Sequence, residues 1–150
     1  MKIQDIMVKP VTTVAEDATL EEVARLMLER NIGCVPVVNQ RDELCGIVTE
    51  SDFTGKERTF PFSPMSIYGH PQVLGEWLPK QGVERIYEAA RTKKVREIMT
   101  ASVITTAEDQ TVESVVQQMV SRNLHRIPVV RDHKPVGIVT RHDLLRLMIR

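Results

Sequence analysis

Aromatic side chains are scarce in this 150-residue chain, and the few present are crowded together: three Phe, two Tyr and one Trp, all between Phe53 and Tyr87. Cysteine is scarcer. Cys34 and Cys45 form no Cys-x-x-Cys pair, which excludes a disulfide framework or a zinc ribbon and leaves two small apolar thiols on neighbouring strands. Neither sign of charge is in excess, with 20 Lys plus Arg against 20 Asp plus Glu. A dedicated nucleic-acid binder carries a basic surplus, so nucleic acid is not an expected partner, although a local basic pocket stays open. No run approaches the ~20 apolar residues of a membrane span, and the start MKIQDIMVKP lacks a signal-peptide core. A soluble cytoplasmic chain without membrane insertion is therefore expected. Catalytic frames are missing too. No Gly-x-Ser-x-Gly surrounds any serine, and His70, His125, His133 and His142 have no metal-ligand spacing. The carboxylates fall at caps and on helix faces, and no acid/base pair stands out, so the chain reads as a non-enzyme with no metal site.

What is present is a repeat. Ile6-Met7 matches Ile98-Met99, and Thr13-Val14-Ala15-Glu16-Asp17 matches Thr105-Thr106-Ala107-Glu108-Asp109. Val35-Pro36-Val37-Val38 matches Ile127-Pro128-Val129-Val130. After one deletion, Gly46-Ile47-Val48-Thr49-Glu50-Ser51-Asp52 matches Gly137-Ile138-Val139-Thr140-Arg141-His142-Asp143. So many landmarks in one register mean duplication.

Each copy predicts strand, helix, strand, strand, helix. The first strands are placed at Val11 to Val14 and Val103 to Thr106. Leu20, Val23, Ala24, Met27 and Leu28 recur at helical spacing, as do Val112, Val115, Val116, Met119 and Val120. Thr19 with Glu22 makes a capping box, whereas Thr111 has Ser114 where the glutamate should be. Asn31 and Asn123 stand where a left-handed residue ends each helix. Strands follow at Cys34 to Val38 and Leu44 to Thr49, then at Arg126 to Arg131 and Val136 to Thr140, rich in Val and Ile. A further helix is expected after each Gly-Ile-Val-Thr, the second running to the end of the chain. The fold class is α+β (mixed αβ): two pseudo-symmetric units, each a three-stranded mixed sheet with two helices, with the two sheets facing each other.

Between the copies lies a stretch too aromatic for a disordered linker. Thr59 to Pro71 reads as loop and Gly82 to Thr92 as helix, with Ile86, Ala89 and Ala90 on one side. The segment serves as a packed insertion or as an interface.

The hydrophobic-Pro-hydrophobic-hydrophobic strand and the Gly-Ile-Val-Thr-x-x-Asp ending, each present twice, resemble the CBS domain, named after cystathionine beta-synthase. The tandem is similar to the pair called a Bateman module, here as a stand-alone CBS-domain protein, and the likeness spans nearly all of the chain outside the insertion. It implies CBS repeats at 1–55 and 93–150 about an insertion at 56–92. It also implies an adenine-containing ligand (AMP, ADP, ATP, S-adenosylmethionine or NAD) between the repeats, no required cofactor, and a disc-like homodimer. In the family the motif Asp accepts from the ribose hydroxyls and the Thr contacts ribose or phosphate, which corresponds here to Thr49 and Asp52 and to Thr140 and Asp143. A carboxylate suits a vicinal diol because it only accepts, and the following helix start suits a phosphate. Thr-x-x-Asp is equally a helix cap, and the two roles are compatible.

The copies differ most at Leu124-His125-Arg126-Ile127-Pro128, opposite Ile32-Gly33-Cys34-Val35-Pro36. The His-Arg pair is similar to the phosphate-contacting pair of the regulatory gamma subunit of AMP-activated protein kinase. That resemblance implies one cleft built from Thr49, Asp52, Val103, Ile104, His125, Arg126 and Pro128, and a second from Thr140, Asp143, Val11, Thr12, Gly33, Cys34 and Pro36. The first holds the fork of donors that phosphate favours over a sulfonium; the second lacks it. Two functions follow: an adenine-nucleotide sensor acting on an unidentified protein, or a ligand-free assembly domain using the aromatic insertion.

Overall fold

The computed structural model describes residues 1–54 and 80–149, apart from the side chains of residues 80 and 81. Phe60, Phe62, Tyr68, Trp77 and the expected Pro- and Ser-rich loop lie outside the described residues.

Each repeat forms one mixed three-stranded sheet. In the first, β1 (Val14–Ala15) runs parallel to β2 (Cys34–Val38), and β2 runs antiparallel to β3 (Leu44–Thr49). Helix α1 (Leu20–Arg30) connects β1 to β2. Helix α2 (Lys80–Ala90) lies between the repeats. The second repeat follows as β4 (Thr106–Ala107), α3 (Val112–Ser121), β5 (Arg126–Arg131) and β6 (Lys134–Thr140), with the same pairing. Both middle strands carry a bulge at the same place, between Val37 and Val38 and between Val129 and Val130.

Local chemistry accounts for the boundaries. Thr19 Oγ1 accepts from Glu22 N at 3.2 Å while Glu22 returns a carboxylate oxygen to Thr19 N at 3.0 Å. Thr111 Oγ1 accepts from Ser114 N at 3.1 Å without a return bond. Thr19→Ala should therefore cost about 1 kcal/mol in urea denaturation, and Thr111→Ala should cost less. Asn31 and Asn123 take φ of 51° and 52°, the left-handed turn that stops each helix. Strand β6 begins two residues before the expected Val136, because Asp132 and His133 both adopt positive φ, 51° and 66°. That conformation closes a tight hairpin and lets Lys134 pair with Arg131. The segments after β3 and β6 wind as tighter 3-10 helices, Glu50–Thr54 and His142–Ile149, where helices were expected. In α2, Ile86 and Ala90 are buried but Ala89 is exposed, a correction to the expected face.

The two copies are joined by an exchange. Ile3, Ile6 and Met7 precede the sheet of the first repeat yet pack with Val112, Val115, Met119, Ile127, Val129 and Val139 of the second. Val95 and Ile98 precede the sheet of the second repeat and pack with Leu20, Val23, Met27, Val35 and Val48 of the first. Hydrogen bonds repeat the pattern: Ile3 N donates to Gln110 O at 2.9 Å and Val95 N to Ala18 O at 2.8 Å. Each lead-in segment then closes the free edge of the other repeat's sheet. Val8 and Ile138 exchange backbone bonds of 2.8 and 3.2 Å, and Ile47 and Thr100 exchange bonds of 3.0 and 2.9 Å. The close approach needs glycine: a Cβ on Gly46 would strike the Met99 side chain, and one on Gly137 would strike Met7 and lie 3.1 Å from Val8 O. Because the chain must cross the seam after Val8 and Thr100, the first strands pair only from Val14 and Thr106, later than the expected Val11 and Val103.

Candidate functional site

The Thr-x-x-Asp endings fold back on themselves in both copies. Asp52 Oδ2 accepts from Thr49 N at 2.8 Å and from Thr49 Oγ1 at 3.3 Å, and Ser51 Oγ stands 2.8 Å from that hydroxyl. Asp143 Oδ2 accepts from Thr140 N at 2.8 Å and from Thr140 Oγ1 at 2.9 Å. Asp143 is almost fully buried, and Arg146 approaches its other oxygen at 3.8 Å. The cap geometry expected of the motif is thus present twice, and it holds each carboxylate just past the end of β3 or β6.

Strand register sets the neighbouring pair beside each threonine. Cys34 lies opposite Thr49 and Arg126 opposite Thr140. Across the seam the matched residues meet electrostatically. Burial pushes the Cys34 thiol up from its ordinary pKa, the Arg126 guanidinium pulls it back, and the carboxylates of Asp143 and Glu50 push it up again. Cys34 therefore stands near Arg126 and Asp143, which brings members of both expected clefts to one place. The Arg126 Nε is buried and has no hydrogen-bond partner among the described residues. The Cys45 thiol is also raised, first by burial and then by Glu16, so neither cysteine is primed as a nucleophile.

The other expected residues spread along the seam. Val103 lines a hollow of about 130 Å³ with Leu44, Cys45, Thr105 and His133, where Leu44 N donates to His133 O at 2.8 Å. Val11, Thr12 and Ile104 are half-buried in the segments crossing between sheets, Gly33 is half-buried, and His125 is exposed. Pro36 and Pro128 are buried inside their strands opposite Ile47 and Ile138, so their rings present little surface to a cleft.

Two features escaped the sequence reading. One is Glu50, whose carboxylate lies over Gly33: a Cβ built there would sit 3.1 Å from Oε1. The repeat alignment held the signal, since Glu50 matches Arg141, a reversal of charge. Arg141 instead turns away, giving Nε to Leu124 O at 2.8 Å and Nη2 to Asn123 Oδ1 at 3.3 Å. The other is an apolar groove of about 400 Å³ on the outer side of α1, lined by Leu20, Ala24, Leu28, Phe53 and Tyr87. The Tyr87 hydroxyl donates to Phe53 O, tying α2 to the first repeat. Among the described residues no three His, Cys, Asp or Glu side chains gather as a metal site, and no helix is long and apolar enough to cross a membrane.

Comparison with known proteins agrees with the duplicated architecture. The family model described as CBS domain matches residues 3–56 and 95–150. An uncharacterized protein of Methanocaldococcus jannaschii, MJ1426, is 38% identical over 157 residues, covering 99% of this chain and 92% of the relative. The CBS domain of a CBS-domain-containing membrane protein from Sphaerobacter thermophilus superposes with a TM-score of 0.76 at 46% identity, covering 98% of this chain and 87% of that one. The CBS domain pair of protein MJ0100, solved in complex with 5′-methylthioadenosine and S-adenosyl-L-methionine, gives 0.69 at 29% identity, covering 99% and 95%. Other relatives are far longer: the chain spans only 24% and 23% of two that are named as enzymes.

Proposed function

The chain belongs to the CBS-domain family, and from that premise we propose that it is a cytoplasmic, non-catalytic regulatory module that binds an adenine nucleotide such as AMP, ADP or ATP and acts on a partner protein through ligand-dependent conformation. The observation that carries this reading is the buried, unpartnered Nε of Arg126 in the seam. A buried donor without an acceptor is costly, and a guanidinium held that way is prepared for an anion such as phosphate. Thr49 and Asp52, with Val103, Ile104, His125, Arg126 and Pro128, form the proposed first cleft. Thr140 and Asp143, with Val11, Thr12, Gly33, Cys34 and Pro36, form the second. Each carboxylate has one oxygen held by its own threonine, and a carboxylate fixed in one direction is an acceptor suited to a ribose diol, which supports the assignment. The adenine compounds bound by the MJ0100 pair support the ligand class. A ligand spanning the seam acts as a switch only by binding one arrangement of the repeats more tightly than another.

A thermal-shift panel of AMP, ADP, ATP, S-adenosylmethionine, NAD and adenosine tests the reading. A ligand at 100 times its Kd should stabilise the chain by about 2.7 kcal/mol, a rise of several degrees, and Asp52→Ala should reduce it. No shift with any of the six overturns the nucleotide reading in favour of assembly. One observation favours that second reading: Leu28 and Val120, at matched positions on α1 and α3, are 82% and 75% exposed, an apolar pair suited to a homodimer face.

A further inference from the structure

Two matched contacts in the duplication have no part in the clefts: Met7 on Gly137, and Met99 on Gly46. Each thioether rests against a strand backbone where a side chain would otherwise begin. A Cβ on Gly137 would lie 2.6 Å from Met7 Sδ, and one on Gly46 would strike Met99 Sδ and lie 2.9 Å from its Cγ. The residue after each methionine makes the backbone bonds that close a sheet edge, Val8 with Ile138 and Thr100 with Ile47. The two clasps differ in access. Met7 is 7% exposed and belongs to the core of the second repeat. Met99 is half-buried, at the margin of the core of the first.

We propose that Met99 is a site of reversible oxidation by hydrogen peroxide, and that its sulfoxide releases the edge of the first sheet at Ile47 and Thr100. The sulfur lone pair attacks one peroxide oxygen, the O–O bond breaks as the S–O bond forms, and the other oxygen leaves as water. The sulfur loses two electrons and the peroxide gains them; a thiol-dependent sulfoxide reduction reverses the step. A thioether asks for no hydrogen bond, which suits a backbone already engaged: Gly46 stands opposite Val37 in the ladder, and Ile47 gives its N–H to Thr100 O and takes the Thr100 N–H in return. A sulfoxide oxygen is a strong acceptor, and pressed against that strand it would be buried without a donor, which is costly. It turns to water instead. Thr100 is the next residue, so the turn carries it off the edge of β3. Met7, better covered, keeps the edge of the second sheet closed under the same oxidant. The inference needs no ligand in either cleft and stands apart from the nucleotide reading.

Dilute hydrogen peroxide on the full chain, followed by peptide mass mapping and residue-resolved hydrogen exchange, tests this. The exposed Met1 and Met148 should gain oxygen first and report the dose; Met99 should follow, well ahead of the buried Met7, Met27 and Met119. In protein carrying the Met99 sulfoxide, the Ile47 and Thr100 amides should exchange about tenfold faster or more, the effect of one unpaired buried acceptor. The Val8 and Ile138 amides should stay protected. Methionine sulfoxide reductases with dithiothreitol should restore the slow exchange. Met99→Leu keeps the volume without an oxidisable sulfur, so the same peroxide should leave all four amides protected. Met148→Leu, remote from the clasp, should open like wild type. Protected Ile47 and Thr100 amides in the Met99 sulfoxide form, oxidation of Met99 no faster than that of Met119, or equal opening in the Met99→Leu chain overturns the proposal. Exchange that stays fast after the sulfur is reduced overturns its reversibility and makes the oxidation mere damage.

Discussion

Ile3→Asp should cost about 4 kcal/mol or more and should melt the second repeat before the first. Ile3 has no exposed surface and packs with Val112, Val115, Met119, Ile127, Val129 and Val139. Truncating such a residue to Ala typically costs about 2–5 kcal/mol through lost burial and the cavity left behind. An aspartate adds a charge with no partner in an apolar site, which raises the cost further. A domain of this size has about 5–15 kcal/mol in total, so the variant sits close to unfolding at 25 °C. Ile3→Val, which keeps the shape, should lose only about 0.5–1.5 kcal/mol. Urea denaturation gives the magnitude, and hydrogen exchange gives the location. Strands β5 and β6 should lose protection first, although the substitution stands more than a hundred residues away from them in sequence. Early loss in β2 and β3 instead would mean that the first residues support their own repeat, and the exchange would be wrong. Val95, which makes the reciprocal contact with the first repeat, provides the mirror experiment.

That exchange shows where a sequence stops informing. The motif order told of duplication, and local chemistry told of the elements: the Thr19–Glu22 box, the left-handed Asn31 and Asn123, and the limits of β2, β3 and β5 are all where the residues place them. Ile6-Met7 and Ile98-Met99 were equally visible as apolar pairs. Their destinations were not, because duplication makes the two cores chemically alike: a segment rich in Ile and Met fits either one, and only the crossing of the chain decides. The candidate site divides the same way. Thr49, Asp52, Thr140 and Asp143 lie in a recurring frame and could be read from it. Glu50 sits inside that frame at a position where the copies disagree. Attention to what repeats passes over it, and its bearing on Gly33 depends on a side-chain direction that spacing does not encode.

Arg126→Ala should lower the affinity for AMP roughly ten- to a hundredfold, the loss of one charged hydrogen-bonding group worth about 1.5–3 kcal/mol, while leaving adenosine binding nearly unchanged. The fold should not suffer with it. The Nε makes no hydrogen bond among the described residues, so removing the guanidinium forfeits some packing of its methylenes but also relieves a desolvated donor. The melting temperature without ligand should stay level or rise slightly. Arg126→Lys keeps the charge and loses the planar fork, so it should fall between wild type and alanine. Absorbance titration of the thiolate provides an independent check of position: with the guanidinium gone, the pull that lowers the Cys34 thiol disappears, and Cys34 should titrate higher still. A purely structural arginine would behave in the opposite way, with a lower melting temperature and an unchanged ratio of AMP to adenosine affinity. Stability and affinity must therefore move independently in this one variant if the seam is built to receive a phosphate rather than to hold the repeats together.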